Sequence, residues 1–389
     1  MKTPVYLDYH ATTPADPRVV EAMLPYFTER FGNPASRNHP FGWAAADAVE
    51  TARGEVAALV GAHAREIVFT SGATESNNTV IRGVARARRR AGAHVVSVAT
   101  EHPSVVDTCR TLEADGFAVT VLPVGPDGLV DLDRVEASLR PDTILVSVMA
   151  ANNEIGVLQD LEAIGAMTHA RGVLLHTDAS QAVGKVAFDV ERGRVSLASF
   201  TAHKMYGPKG VGALYVRRHS VDLPPLLVGG GQERGLRSGT LNVPAIVGFG
   251  KAAAIARAEG AAEAARLGAL RDRLLAGLRE GVSGLRVNGS LTRRLPQNLN
   301  VSIDGIEPES LAMALGDLAV SAGAACGTGK PTPSRVLTAV GVPPELALAS
   351  IRFGLGRWTT DEEIEFAAAK VVEVVAGLRR MHAAIPRAT

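Results

Sequence analysis

The sequence predicts an α/β protein with a large domain, whose seven-stranded, mostly parallel sheet lies between helices, and a smaller α/β domain at the C-terminus. Three observations predict it. Short β-branched runs alternate with amphipathic stretches through the first two thirds of the chain, the arrangement of strands joined by helical crossovers. Composition then shifts after the Gly-rich stretch 229–239. At 389 residues, with 46% hydrophobic and 21% charged residues, the chain is long and apolar enough for one large domain or two.

Candidate strands are 66–70, 94–99, 118–122, 143–149, 173–177, 197–201 and 211–216. Helical periodicity fills 74–91, 103–115 and 160–171. The connection from 201 to 211 is too short for a helical crossover, so the last strand is expected to run antiparallel. An Ala/Arg/Leu/Glu-rich segment, 244–280, reads as one continuous helix, a spine between domains. Strand-like pieces near 285–288 and 298–303 follow, then helices near 307–316, 334–340 and 360–383. The expected division is a large domain over 14–255, with 1–13 and 256–389 forming the small one.

Charge excludes some functions. Lys and Arg total 41 against 40 Asp and Glu, so no global field gathers nucleic acid or acidic membrane. The Arg86-Ala87-Arg88-Arg89-Arg90 run sits at a predicted helix end, where cations favour the macrodipole, and no aromatic residues interleave with it. No stretch approaches the roughly 18 apolar residues of a membrane span, and no secretory pattern opens the chain. A cytoplasmic protein is expected. Two cysteines, Cys109 and Cys326, build no disulfide framework, and no Cys/His spacing suggests zinc or another metal site.

In open α/β sheets, ligands bind beyond the carboxyl ends of the strands. Ser71-Gly72-Ala73-Thr74-Glu75 follows the first strand as a small-residue turn opening a helix, a natural phosphate seat. Other strand ends carry Glu101-His102, Asn152-Asn153-Glu154, Asp178 with Gln181 one turn on, and His203-Lys204. Each set alone is ordinary; five converging on one crevice are hard to explain as packing.

The set has a chemical logic. A lysine amine captures an aldehyde cofactor, a helix N-terminus takes its phosphate, and a carboxylate such as Asp178 keeps a pyridine nitrogen protonated so that the ring acts as an electron sink. His102 could lie over the ring and move protons. These are the requirements of pyridoxal 5′-phosphate (PLP). Of the seven lysines, only Lys204 directly follows a candidate strand with a histidine beside it. Cys326 lies in a Gly/Pro-rich stretch, expected to be a surface loop, whereas Cys109 falls mid-helix and is expected in the core. A P-loop reading of 324–331, AACGTGKP, fails because Ala324 and Pro331 replace the required glycine and hydroxyl residue.

The segments YLDYHATTP (6–14), FGNPASRNHPFG (31–42), EIVFTSGATESNN (66–78), TEHPSVVDTC (100–109), NNEIGV (152–157), SFTAHKMYGPKGVGALYVRR (199–218), GGGQERGLRSGT (229–240) and SIRFGLGR (350–357) resemble cysteine desulfurases of the NifS/IscS type, of the class V aminotransferase group and PLP fold type I. The resemblance implies that the large domain binds PLP, with Lys204 holding it covalently, Asp178 at the pyridine nitrogen and Gln181 at the ring hydroxyl. Ala73, Thr74, Thr201 and His203 would take the phosphate, with Thr240 reaching in from the second subunit of a homodimer. His102 would stack on the ring as acid and base, and Asn153 and Arg352 would hold the substrate carboxylate. Cys326, in a loop of the small domain, falls on the persulfide-forming position. It would take sulfur from L-cysteine, leaving L-alanine, and pass it to an acceptor such as an iron–sulfur scaffold or a thiolation protein.

The chain departs from the pattern in places. His10, Thr201 and Ala202 stand where relatives carry a smaller or polar residue, Ser and Gly. Two readings of His10 stay open: a packing residue, or one that alters the mouth of the site. Gly327-Thr328-Gly329-Lys330 replaces a more Ser-rich stretch. Retaining PLP but changing the reaction would give a selenocysteine lyase or another class V enzyme. A sulfur-trafficking scaffold without turnover is the reading from a different class.

Overall fold

The computed structural model describes residues 2–323 and 332–384. All seven strands expected for the large sheet are present, in the order Ile67–Thr70, Gly212–Val216, Leu197–Thr201, Leu174–Asp178, Thr143–Ser147, His94–Val98, Ala118–Leu122. Neighbours pair in parallel, except that Gly212–Val216 runs antiparallel to both strands beside it. The short connection after Thr201 therefore has the consequence expected of it. Six carboxyl ends open on one side of the sheet.

These strands read as unbroken apolar runs because both faces are covered. Along them, Phe69, Val96, Val146, Leu175, Phe200 and Tyr215 join one core, while Val68, Val95, Leu145, Leu174, Leu197 and Leu214 join another. Helices Ala73–Arg88 and Pro103–Ala114 cover the second face, and Cys109 lies there in the core as expected, its thiol pushed up to about 12 by burial. Helix Pro40–Leu59, which has no counterpart among the expected elements, packs on the first face with the start of the long helix. The arginine-rich run closes helix Ala73–Arg88 and is largely solvated.

The long helix is continuous from Val243 to Gly281, 39 residues, or about 58 Å at 1.5 Å per residue. Asn242 caps it, accepting from the Ala245 N–H, and Pro244 stands in its first turn, where no donor is needed. Its residues up to Ala256 are buried in the large-sheet core, and those from Leu267 to Leu278 in a separate core. That second core holds Val5 and Leu7, helix Asp361–Ala384 and an antiparallel sheet ordered Ser321–Ala322, Ser350–Gly354, Asn298–Ile303, Leu285–Val287. Val5–Tyr6 pairs in parallel with Leu318–Ala319, tying the N-terminal segment to this half.

Candidate active site

Beyond the carboxyl ends of the large sheet lies a cavity of about 560 Å³. Its lining brings together ten residues expected from the sequence: Ala73, Thr74, His102, Asn153, Asp178, Gln181, Thr201, His203, Lys204 and Arg352. Thr240 is exposed and does not line it. Cys326 lies outside the described residues.

Gly72 ends the first strand's turn and starts helix Ala73–Arg88 with no side chain capping it, so the first N–H groups of the helix are open to the cavity. A Cβ on Gly212 would stand 2.6 Å from Gly72 Cα and 2.7 Å from Phe200 O. Only glycine lets this turn sit against the strand that carries Thr201. Glu75 would repel an anion here, but its carboxylate accepts from the Ser71 N–H at 2.9 Å and pairs with Arg237 at 3.0 Å.

Lys204 closes a 3₁₀ turn directly after strand Leu197–Thr201. Its Nζ donates to His10 O at 2.5 Å and Ala11 O at 2.6 Å, with no carboxylate as partner among the described residues. Burial, with the positive Arg352 nearby, lowers its ammonium from the ordinary 10.5 to about 8. Beside it, His203 bonds Thr12 Oγ1 at 3.1 Å and is lowered to about 4, by burial first and then by Lys204.

Opposite the lysine, a chain of hydrogen bonds orders the acid and the histidine. Asp178, at the end of its strand and buried, accepts from Ser180 N–H at 3.0 Å and from Asn77 Nδ2 at 2.8 Å. Asn77 also donates to Ser104 Oγ at 2.9 Å, so the hydroxyl proton is free to go to His102 Nδ1 at 2.8 Å. The Ser104 N–H points at the same nitrogen. With Nδ1 accepting, neutral His102 carries its proton on Nε2. Glu101 is buried beneath and accepts from the Met149 N–H. Burial, reinforced by Asp178, holds its carboxyl well above the usual range.

Arg352 enters from strand Ser350–Gly354 of the small sheet. Nη1 donates to Asn153 O at 3.0 Å, and Nη2 to Asp8 Oδ1 at 2.7 Å and Ser321 Oγ at 2.6 Å. Its buried Nε has no partner among the described residues.

Sequence reasoning missed Asn77, Ser104 and Lys185. Asn77 stood inside a quoted motif but one turn into the helix, away from the strand end that drew attention. Lys185 sits four residues after Gln181, at helical spacing, and donates to Gln181 Oε1 at 2.9 Å. Burial first, then Lys204, lowers it to about 7.

The Aminotransferase class-V family model matches residues 5–366. The chain is 59% identical over 382 residues to a protein of Anaeromyxobacter sp. (strain Fw109-5) named cysteine desulfurase IscS, covering 98% of this chain and 95% of that one. Among solved structures it resembles a NifS-like protein, with TM-score 0.90 and 39% identity over 96% of this chain and 100% of the other. A structure titled SspA in complex with cysteine matches with TM-score 0.80 and 35% identity, over 92% and 100%. A match spanning nearly the whole chain, on a fold that opens its strand ends onto a lysine-bearing crevice, makes this protein a member of the class-V aminotransferase family.

Proposed function

We propose that this chain is a PLP-dependent cysteine desulfurase, converting L-cysteine to L-alanine and taking the sulfur as a persulfide on Cys326. One observation carries the reading: a single cavity unites an amine without a carboxylate partner among the described residues, a seated carboxylate opposite, an uncapped helix N-terminus and an arginine aimed by Asp8 and Ser321. These residues fit PLP. Lys204 would hold it covalently, the N–H groups after Gly72 with Ala73, Thr74, Thr201 and His203 would take its phosphate, and Asp178 and Gln181 would face its ring nitrogen and hydroxyl. When bound, PLP supplies an aldehyde for the amine and a ring that accepts an electron pair from the substrate.

The protein's own groups do the rest. Arg352 and Asn153 bind the substrate carboxylate; the guanidinium is already aimed by Asp8 and Ser321. Asp178 keeps a proton on the ring nitrogen, held in place by Asn77. Lys204 moves the α-proton as the base of the reaction. His102 lines the cavity and serves as the acid and base of the reaction, taking up a proton before it gives one. The Cys326 thiolate attacks the substrate sulfur. An S–S bond forms, the Cβ–S bond breaks, and its electron pair stays with carbon, which takes a proton to become alanine.

Two further parts of the reading concern assembly. Thr240, exposed on its own chain, serves the cavity of a second copy. The exposed Phe27, Phe31, Phe41, Trp43 and Leu226–Val228 supply apolar surface for such a homodimer. The large domain is taken as 14–255 and the small one as 1–13 with 256–389, joined through the long helix. The persulfide sulfur passes in the cytoplasm to an iron–sulfur scaffold or a thiolation acceptor.

Cys326→Ala tests the reading. The variant should still take up PLP and bind cysteine, with its visible spectrum responding, but release no alanine beyond background. Full turnover by this variant would contradict the persulfide step.

A further inference from the structure

His10 is buried at the back of the cavity, 1% exposed, and its backbone and ring make different contacts. Its carbonyl receives Lys204 Nζ at 2.5 Å and Gln181 Nε2 at 3.0 Å. Its Nδ1 meets Gln181 Oε1 at 3.0 Å, and its Nε2 meets Asn298 Nδ2 at 3.0 Å. These contacts allow one assignment. Gln181 Oε1 also accepts from Lys185 Nζ at 2.9 Å, and the amide nitrogen already donates to His10 O. A flipped Gln181 would set its oxygen against the His10 carbonyl, two acceptors facing each other with no hydrogen between them.

The oxygen therefore faces His10, and Nδ1 must carry the ring proton. At the other end, Asn298 Oδ1 accepts from Arg294 Nη1 at 3.1 Å while its Nδ2 also donates to Glu154 O at 3.1 Å. The asparagine thus shows the ring a donor, and Nε2 must be bare. Both ends require the same neutral tautomer.

The surroundings are built for this ring. A Cβ on Gly354 would lie 2.8 Å from His10 Cδ2, and one on Gly156 would lie 2.4 Å from Asn298 Cγ. Both glycines leave the room that the histidine and the asparagine occupy.

We propose that His10 is a positioning residue: as the Nδ1–H tautomer, it fixes the Gln181 amide so that an N–H, and never the carbonyl oxygen, is offered to an oxygen acceptor on the cofactor ring. The inference rests on the proposed PLP site. One of the two Gln181 Nε2 hydrogens is engaged by His10 O, and Gln181 lines the cavity, so the other serves the ligand. Burial, with Lys185 and Arg352 adding to it, holds the imidazole well below its ordinary 6.5, in keeping with a neutral ring. Of the two readings of His10 that the sequence leaves open, this is neither packing alone nor a change at the mouth; it acts from behind the ligand.

The test is the dissociation constant of PLP, measured on the full-length protein for wild type, His10→Ala, His10→Asn, Gln181→Leu and the double variant His10→Ala/Gln181→Leu. His10→Ala should weaken PLP binding roughly threefold to tenfold, the worth of one ordering hydrogen bond. His10→Asn, whose amide N–H can replace Nδ1–H, should recover to within about twofold. The double variant should bind no worse than Gln181→Leu alone, because the two residues act as one unit. A residue that only fills space would not be rescued by asparagine and would add its loss to that of Gln181→Leu; either result overturns the inference. If His10→Ala does not fold, Asn298→Leu carries the test, with a smaller loss in the same direction and, again, none in the Gln181→Leu background. PLP uptake indifferent to His10 and Asn298 would remove this inference alone. A wild-type chain that takes up no PLP would remove the proposed cofactor site with it.

Discussion

Two buried charged clusters in this molecule are built on opposite plans. On one side of the large sheet, Arg53 and Glu233 face each other at 2.7 Å, with side chains 3% and 1% exposed. Arg53 also donates to Ile67 O, and Glu233 also accepts from the Phe69 N–H, so each charge is matched and the surplus donors are used. Lys204, His203 and Arg352 in the crevice and Lys185 behind Gln181 crowd together, and the three other than Arg352 are held below their ordinary pKa values. The carboxylates that line or flank it are committed: Asp178 to Asn77 and Ser180, Asp8 to Arg352, and Glu75 to Arg237 and the Ser71 N–H. The first cluster is complete without a ligand. The second leaves positive groups and N–H donors for an anionic guest, and that difference separates scaffold from site.

The sharpest break in the comparison is Lys204→Ala. It should lower turnover by at least about a thousandfold, as loss of a reacting group does. Melting temperature should hold or rise, because one member of a like-charged crowd is gone. A marked loss of stability instead would mean that the crevice is built like the Arg53–Glu233 pair.

Arg53→Ala should behave in the reverse way. Stranding Glu233 in the core should cost about 3–5 kcal/mol in unfolding free energy. Below its lowered transition the variant should still take up PLP, as a visible spectrum would report.

A pH series sharpens the contrast. The nucleophile is the neutral amine, and Lys204 loses its proton near pH 8 instead of 10.5. The rate at which ligand-free protein captures PLP should therefore rise as pH increases toward 8 and level off above it. Arg352→Gln removes a positive charge that favours the neutral amine, so the midpoint should move upward. A downward shift would contradict the charge-crowding account.

The smallest effect marks the baseline. Arg110 and Asp107 pair at 3.2 Å while both are well exposed. Arg110→Ala should change stability by no more than about 0.5 kcal/mol by denaturant titration.

Much of this was legible in the sequence because it depends on local signals. Both-face burial writes each large-sheet strand as an apolar run, and the polar residue after it marks the crevice. His102, Asp178 and Lys204 could thus be found one strand at a time. What stayed hidden depends on contacts between distant segments. His10 and Asn298 are far apart in sequence and meet only because Asn298 pairs with Gly354 in the small sheet, where a side chain in place of Gly354 would collide with the ring. Glu101 precedes His102 directly but turns inward, and alternation of side chains gives no warning at a strand end. Helix Pro40–Leu59, rich in alanine, carries too weak an apolar contrast to stand out from its own sequence. The expected role of Thr240 rests on the resemblance alone, because nothing local links an exposed threonine to a cavity that it does not line.

The central claim is that the crevice turns cysteine into alanine and transferable sulfur. The direct measurement is anaerobic incubation of the PLP-loaded protein with L-cysteine and a thiol reductant, quantifying alanine, sulfide and pyruvate together. The account predicts alanine and sulfide in equal amounts with no pyruvate. Pyruvate with sulfide would show β-elimination without a persulfide on Cys326, and would contradict it.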